Sequence, residues 1–113
     1  MPSEAWLDSP IQNEELKDKT LISGWAINSA GVNKVSVLLD SMVVAETVRS
    51  VSREDVVTLK HVDFDPAAPL LGFAVEIDTH RFKNGQYQLS LELLTGAGER
   101  QRTNSRIIKI NNE

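Results

Sequence analysis

With 113 residues, 41% of them apolar and 25% charged, the chain has the make-up of one ordered globular domain and is too short for a catalytic domain plus an accessory one. A formal net charge of -4 with both signs interspersed gives no basic face for phosphate backbones, which argues against nucleic acid as a partner. Cysteine is absent, so disulfides and thiolate metal sites are excluded and stability has to come from packing. No apolar run reaches the length of a membrane span, and the opening MPSEAWLDSP lacks the order of a signal peptide. The abrupt Met1-Pro2-Ser3 start and the polar Asn111-Asn112-Glu113 end read as a module excised from a longer protein.

In chain order, Trp6-Leu7 followed by Pro10 predicts an edge strand, where proline costs no ladder donor. The polar run from Gln12 to Lys19 reads as a loop. From Leu21 to Asp40, a β run carrying Gly24-Trp25-Ala26 is followed by a turn ending in Gly31 and by the alternation Val35, Val37, Leu39. This pattern predicts two paired strands sharing one buried face, with Trp25 at its centre. Val43 to Val48 resumes as a second β run in a hairpin with the first. Ser52-Arg53-Glu54-Asp55 fits a capping box and predicts one short helical turn over 53–57.

Lys60 to Leu70 carries two prolines and no period, a crossing loop between sheets. After Gly72, the residues Phe73, Val75 and Ile77 alternate with Ala74, Glu76 and Asp78, a half-buried strand. Asn84-Gly85 is a turn signal, and Tyr87, Leu89, Leu91 and Leu93 then alternate with polar residues. Gly96-Ala97-Gly98 makes the next turn, and Arg106 to Ile110 closes the domain. About seven short strands with almost no helix predict an all-β, two-sheet antiparallel sandwich.

The order Gly24-Trp25-Ala26, Gly31-Val32-x-x-Val35-x-Val37-x-x-Asp40, Ser52-Arg53-x-Asp55-Val56, Gly72-Phe73-x-x-x-Ile77-Asp78-Thr79 and Asn84-Gly85-x-Tyr87-x-Leu89 resembles the bacterial immunoglobulin-like modules of cell-surface, secreted and cell-wall-associated proteins. The resemblance covers residues 5–112 of a single domain. It implies an immunoglobulin-like sandwich in an extracellular or cell-surface setting, with neighbouring domains of a parent protein as partners. Such modules sit beside cell-wall amidases and glycosidases. Two departures stand out: the loop KHVDFDPAAPLL is less aromatic than the family's, and the hairpin tip Asp40-Ser41-Met42 lacks the usual glycine.

Among individual residues, Trp25 and Phe73 are read as core, and Arg53 with Asp55 as an anchor that pins the helical turn to the sheets. The Tyr87 hydroxyl is expected to tie down a crossing loop. Trp6 and Phe64 are the exposed aromatics able to meet a ligand such as cell-wall polysaccharide. His61, Asp63 and Asp65 share an i, i+2, i+4 spacing, and Asp63 with Asp65 is a weak calcium candidate lacking a glycine turn. His80 is expected to face solvent. No nucleophile elbow, phosphate loop or metal-ligand pair occurs, so neither catalysis nor a cofactor is called for. The reading that follows is a non-catalytic accessory or spacer module. The alternatives are a glycan-binding module, or homotypic adhesion through an edge strand at Val43–Val48 or Ile107–Ile110.

Overall fold

The computed structural model describes residues 3–60 and 64–112. Among the described residues eight strands occur in order: β1 (Glu4–Ser9), β2 (Glu15–Leu16), β3 (Lys19–Ile27), β4 (Val32–Leu39), β5 (Met42–Thr47), β6 (Gly72–Asp78), β7 (Gly85–Thr95) and β8 (Arg100–Ile110). One helix, α1 (Glu54–Lys60), links β5 to β6, and a 3-10 turn at Thr79–Arg81 links β6 to β7. The strands form a three-stranded sheet, β1-β3-β6, packed on a five-stranded one, β2-β8-β7-β4-β5. All pairings are antiparallel except β2 with β8. This is the expected immunoglobulin-like sandwich, with α1 longer than the single turn anticipated.

The core lies where the alternation puts it on three strands. Val35, Val37 and Leu39 of β4, Leu89, Leu91 and Leu93 of β7, and Phe73 and Ile77 of β6 are all buried in one cluster. Leu7, Ile22, Ala26 and Ile108 join that cluster from β1, β3 and β8.

Two expectations about the Leu21–Asp40 stretch are corrected. First, β3 and β4 do not pair; they belong to opposite sheets. The turn between them is a corner in which the Asn28 side chain accepts from the Ala30 amide at 2.8 Å and the Gly31 amide donates to the Asn28 carbonyl at 2.8 Å. Gly31 sits there at φ +83°, which an L side chain rarely adopts. A strand facing across the core and a strand paired beside it both bury one face, so periodicity alone does not separate them. Second, Ile22, Gly24 and Ala26 are the inward residues of β3. Trp25 points out of the opposite face, half-buried beside Ile27, Val56 and Leu71. The indole is covered by α1, with Lys60 Nζ 5.9 Å from its ring centre.

The Gln12–Lys19 segment is also more ordered than a loop. The Asn13 amide donates to Ile107, Lys109 donates to Glu14, and Asn111 donates to Leu16. These bonds cover the edge of β8, so Ile107–Ile110 is not an open template for a second chain. Asp40 and Ser41 form the two-residue tip of the β4–β5 hairpin, both at positive φ (49° and 69°). Glycine would relieve that strain at the second position, so Ser41→Gly is expected to raise stability by about 0.5–1 kcal/mol in urea unfolding.

The free edge of β1 is closed by side chains rather than by another strand. Asn104 accepts from the Leu7 amide at 3.3 Å and donates to the Ala5 carbonyl at 2.9 Å. Arg106 Nη1 donates to the Leu7 and Pro10 carbonyls at 3.1 and 2.9 Å. The Ser3 amide donates to Gln101 at 2.7 Å. Asn104 thus stands in for a peptide unit of a missing neighbour strand, which blunts the edge against pairing with other chains.

Candidate functional site

Two surface depressions involve the residues singled out above. The larger, a cleft of about 590 Å³, lies between α1 and the 64–70 loop and is lined by Glu54, Val57, Thr58, Asp65, Pro66, Ala68 and Pro69. α1 is fixed over the three-stranded sheet by ion pairs to β1. Arg53 makes a two-bond fork with Asp55, at 3.0 and 2.9 Å, and reaches Asp8 at 2.7 Å. Lys60 meets Glu4 at 2.6 Å. Arg53 therefore anchors helix to sheet. Its hydrogen bond to Asp55 raises its pKa further above the ordinary arginine value, and Arg53 in turn holds Asp55 below the usual carboxylate range. Asp55 spends its carboxylate on this fork instead of on the Ser52 amide that the capping box assigned to it.

Asp65, on the wall of this cleft, is one half of a buried ion pair. Its side chain has 0% exposure and that of Arg49 only 4%, and they meet at 2.7 Å. The same carboxylate accepts the Asn28 amide at 3.0 Å and the Ala67 amide at 2.9 Å, and Arg49 also donates to the Ala26 carbonyl at 3.1 Å. Burial alone pushes the Asp65 pKa up, but the Arg49 bond and the two amides outweigh it and leave the group below its ordinary value. The carboxylate oxygens that a calcium ion would need are thus engaged inside the protein. Asp63 and His61 fall outside the described residues. Among the described residues no three His, Cys, Asp or Glu side chains gather as a metal site.

The second depression, about 400 Å³, is lined by Trp6, Ile11, Gln12, Asn104, Ser105 and Arg106. Trp6 is the cross-strand partner of Trp25 in the β1–β3 ladder. α1 covers Trp25 and leaves Trp6 53% exposed. The Arg106 guanidinium lies 5.2 Å from the Trp6 ring centre while bonded to two backbone carbonyls, so a cation–π contact steadies the indole. Phe64 is 50% exposed but lines neither depression. The two exposed aromatics therefore share no groove.

Phe73 fills the core, with 1% exposure. The Tyr87 hydroxyl donates to the Lys83 carbonyl at 2.5 Å, and its ring meets Phe82 edge-on. It ties down residues 79–84, the connection that crosses from the three-stranded sheet to the five-stranded one. His80 is exposed, 2.8 Å from Asp18. Arg49, Asn104 and Arg106 were not singled out in the sequence. Asp65-Pro66 did carry a signal, because an aspartate before proline is a common turn former and its bond to the Ala67 amide is that turn.

No protein-family model matches the chain, and no curated protein matches it. Solved structures do. One is an endo-beta-1,4-mannanase from Thermotoga petrophila, with a TM-score of 0.67 and 16% identity, matched over 100% of this chain. Another contains the fibronectin(III)-like modules of CbhA from Clostridium thermocellum, with a TM-score of 0.59 and 16% identity, matched over 97% of this chain. This chain spans 20% of the mannanase chain and 47% of the CbhA chain. At such identities the likeness establishes the immunoglobulin and fibronectin III type of sandwich and nothing finer. Among the described residues, no helix is long and apolar enough to cross a membrane.

Proposed function

We propose that this chain is a non-catalytic accessory module of the bacterial immunoglobulin-like type, setting the distance between neighbouring domains of a secreted or cell-surface protein that acts on polysaccharide. One observation carries this reading: the two ends of the described chain lie at opposite poles of a long body. Ser3 is bonded to Gln101 and Asn28, whereas Asn112 is bonded to the Asp18 amide and Thr79. β3 and β8 run the length between these poles, and ten residue steps of β8 cover roughly 33 Å. The principal extents are 45 × 26 × 19 Å. A chain that enters at one pole and leaves at the other lengthens its parent by its own long axis.

Two further features support the reading. Among the described residues lining the larger cleft the carboxylates are Glu54 and Asp65, and Asp65 is locked to Arg49, so these two do not form a pair for acid/base work on a glycosidic bond. The fold likeness to parts of a mannanase and to CbhA modules is consistent with a polysaccharide-active parent. In the longer protein, deletion of residues 3–112 is expected to shorten the particle by about the 45 Å of the long axis in solution scattering. Turnover of a short soluble substrate by the neighbouring domain is expected to be unchanged. Unaltered length, or loss of turnover on the short substrate, contradicts the proposal.

A further inference from the structure

We infer that the Trp6 groove is a binding site for a pyranose ring of a polysaccharide. This deepens the reading of the chain as part of a polysaccharide-active protein and rests on it for the class of ligand. A pyranose presents an apolar C–H face and a rim of hydroxyl oxygens, and the groove offers the counterpart of each. The apolar part is the Trp6 indole with Ile11 beside it, 53% and 61% exposed. The indole is already held in place, because Arg106 is tied to the Leu7 and Pro10 carbonyls beneath the cation–π contact, and little motion remains to be frozen on binding.

The polar rim is donor-rich. Gln12 uses its Oε1 to accept the Ile107 amide, which leaves its Nε2 hydrogens for a ligand. Arg106 uses Nη1 on backbone carbonyls, and its Nε and Nη2 meet no protein acceptor among the described residues. Ser105 accepts from Gln88 and keeps its own proton. Among the described residues, no carboxylate lines the groove. A purely apolar peptide side chain would leave these donors unanswered, whereas ring hydroxyls accept from all three. The overall charge of -4 weighs against a polyanion and favours a neutral sugar.

The test is a titration of the chain with mannohexaose, cellohexaose and oligogalacturonate, read from the two tryptophan indole N–H signals in a heteronuclear NMR spectrum. The Trp6 signal is expected to shift saturably with a neutral hexasaccharide, with Kd on the order of millimolar, while the Trp25 signal under α1 stays in place. Trp6→Ala is expected to weaken binding by about tenfold or more and Trp6→Phe by less. A dispersed spectrum of each variant separates lost stacking from lost fold. A response to oligogalacturonate alone supports the site but reassigns its ligand to an acidic sugar held by Arg106. No shift with any of the three, an undiminished affinity in Trp6→Ala, or an indole that responds only to an attached neighbouring domain overturns the inference. None of these outcomes bears on the spacing role, which is tested by length.

Discussion

Asp65→Ala is expected to destabilise the sandwich by about 3–5 kcal/mol, because it leaves the Arg49 guanidinium buried without its counter-charge. The Arg49 side chain is only 4% exposed, and among the described residues its remaining hydrogen-bond partner is the Ala26 carbonyl. The loss also removes the acceptor of the Asn28 amide, and with it the bond that holds the β3–β4 corner to the 64–70 loop. Urea unfolding of the variant checks this, and a loss below about 1 kcal/mol, the range of a solvent-exposed pair, contradicts the burial described here. Acid provides the complementary test. The folded pKa of Asp65 lies below its ordinary value, so the stability it contributes is complete above the unfolded pKa of about 4 and is lost as pH falls through the lower folded value. Asp65→Asn is therefore expected to be less stable than the natural chain at neutral pH and to show a shallower decline below about pH 4.

Gly24→Ala is expected to cost at least about 2–3 kcal/mol and to loosen β1. A Cβ at position 24 would stand 2.0 Å from the Trp6 carbonyl oxygen and 3.1 Å from the Phe73 ring. The first obstacle is backbone, which cannot swing aside as a flexible side chain does. Strand β1 must shift off β3, near the bulge already present between Leu7 and Ser9. The Trp6 indole signal should then move even without ligand, and the denaturation midpoint should fall. An unchanged midpoint would mean that β1 does not cross Gly24 so closely.

The two predictions mark what the sequence revealed and what it hid. Strands whose one face is buried were legible from alternation: Leu89, Leu91 and Leu93 read as inward and lie in the core. Strand β3 was not, because both of its faces are apolar. Ile22 and Ala26 turn to the core while Trp25 turns to α1, and a large aromatic drew the eye to the wrong face. The glycine of the Gly24-Trp25-Ala26 motif matters for the same reason: it is an inward, close-approach position rather than a turn. The Arg49–Asp65 pair joins residues sixteen positions apart, and no local period announces such a contact. The side-chain closure of the β1 edge joins residues almost a hundred positions apart, for which spacing carries no signal. Trp6 was legible as the exposed tryptophan from its polar neighbours, but its groove was not. Gln12, Ser105 and Arg106 come together only when β8 lies along β1.

The arrangement on which the spacing role depends is the placement of the two chain ends at opposite poles. The chain has no cysteine, so cysteines introduced at Ser3 and Asn111 give two unique sites for spin labels, and pulsed dipolar spectroscopy measures the distance between them. With Ser3 beside Gln101 and β8 extended from there to Asn111, a backbone separation of roughly 30–35 Å is expected. A distance distribution centred below about 20 Å, shorter than six residues of extended strand, would place both ends on one side of the body and contradict the role proposed for it.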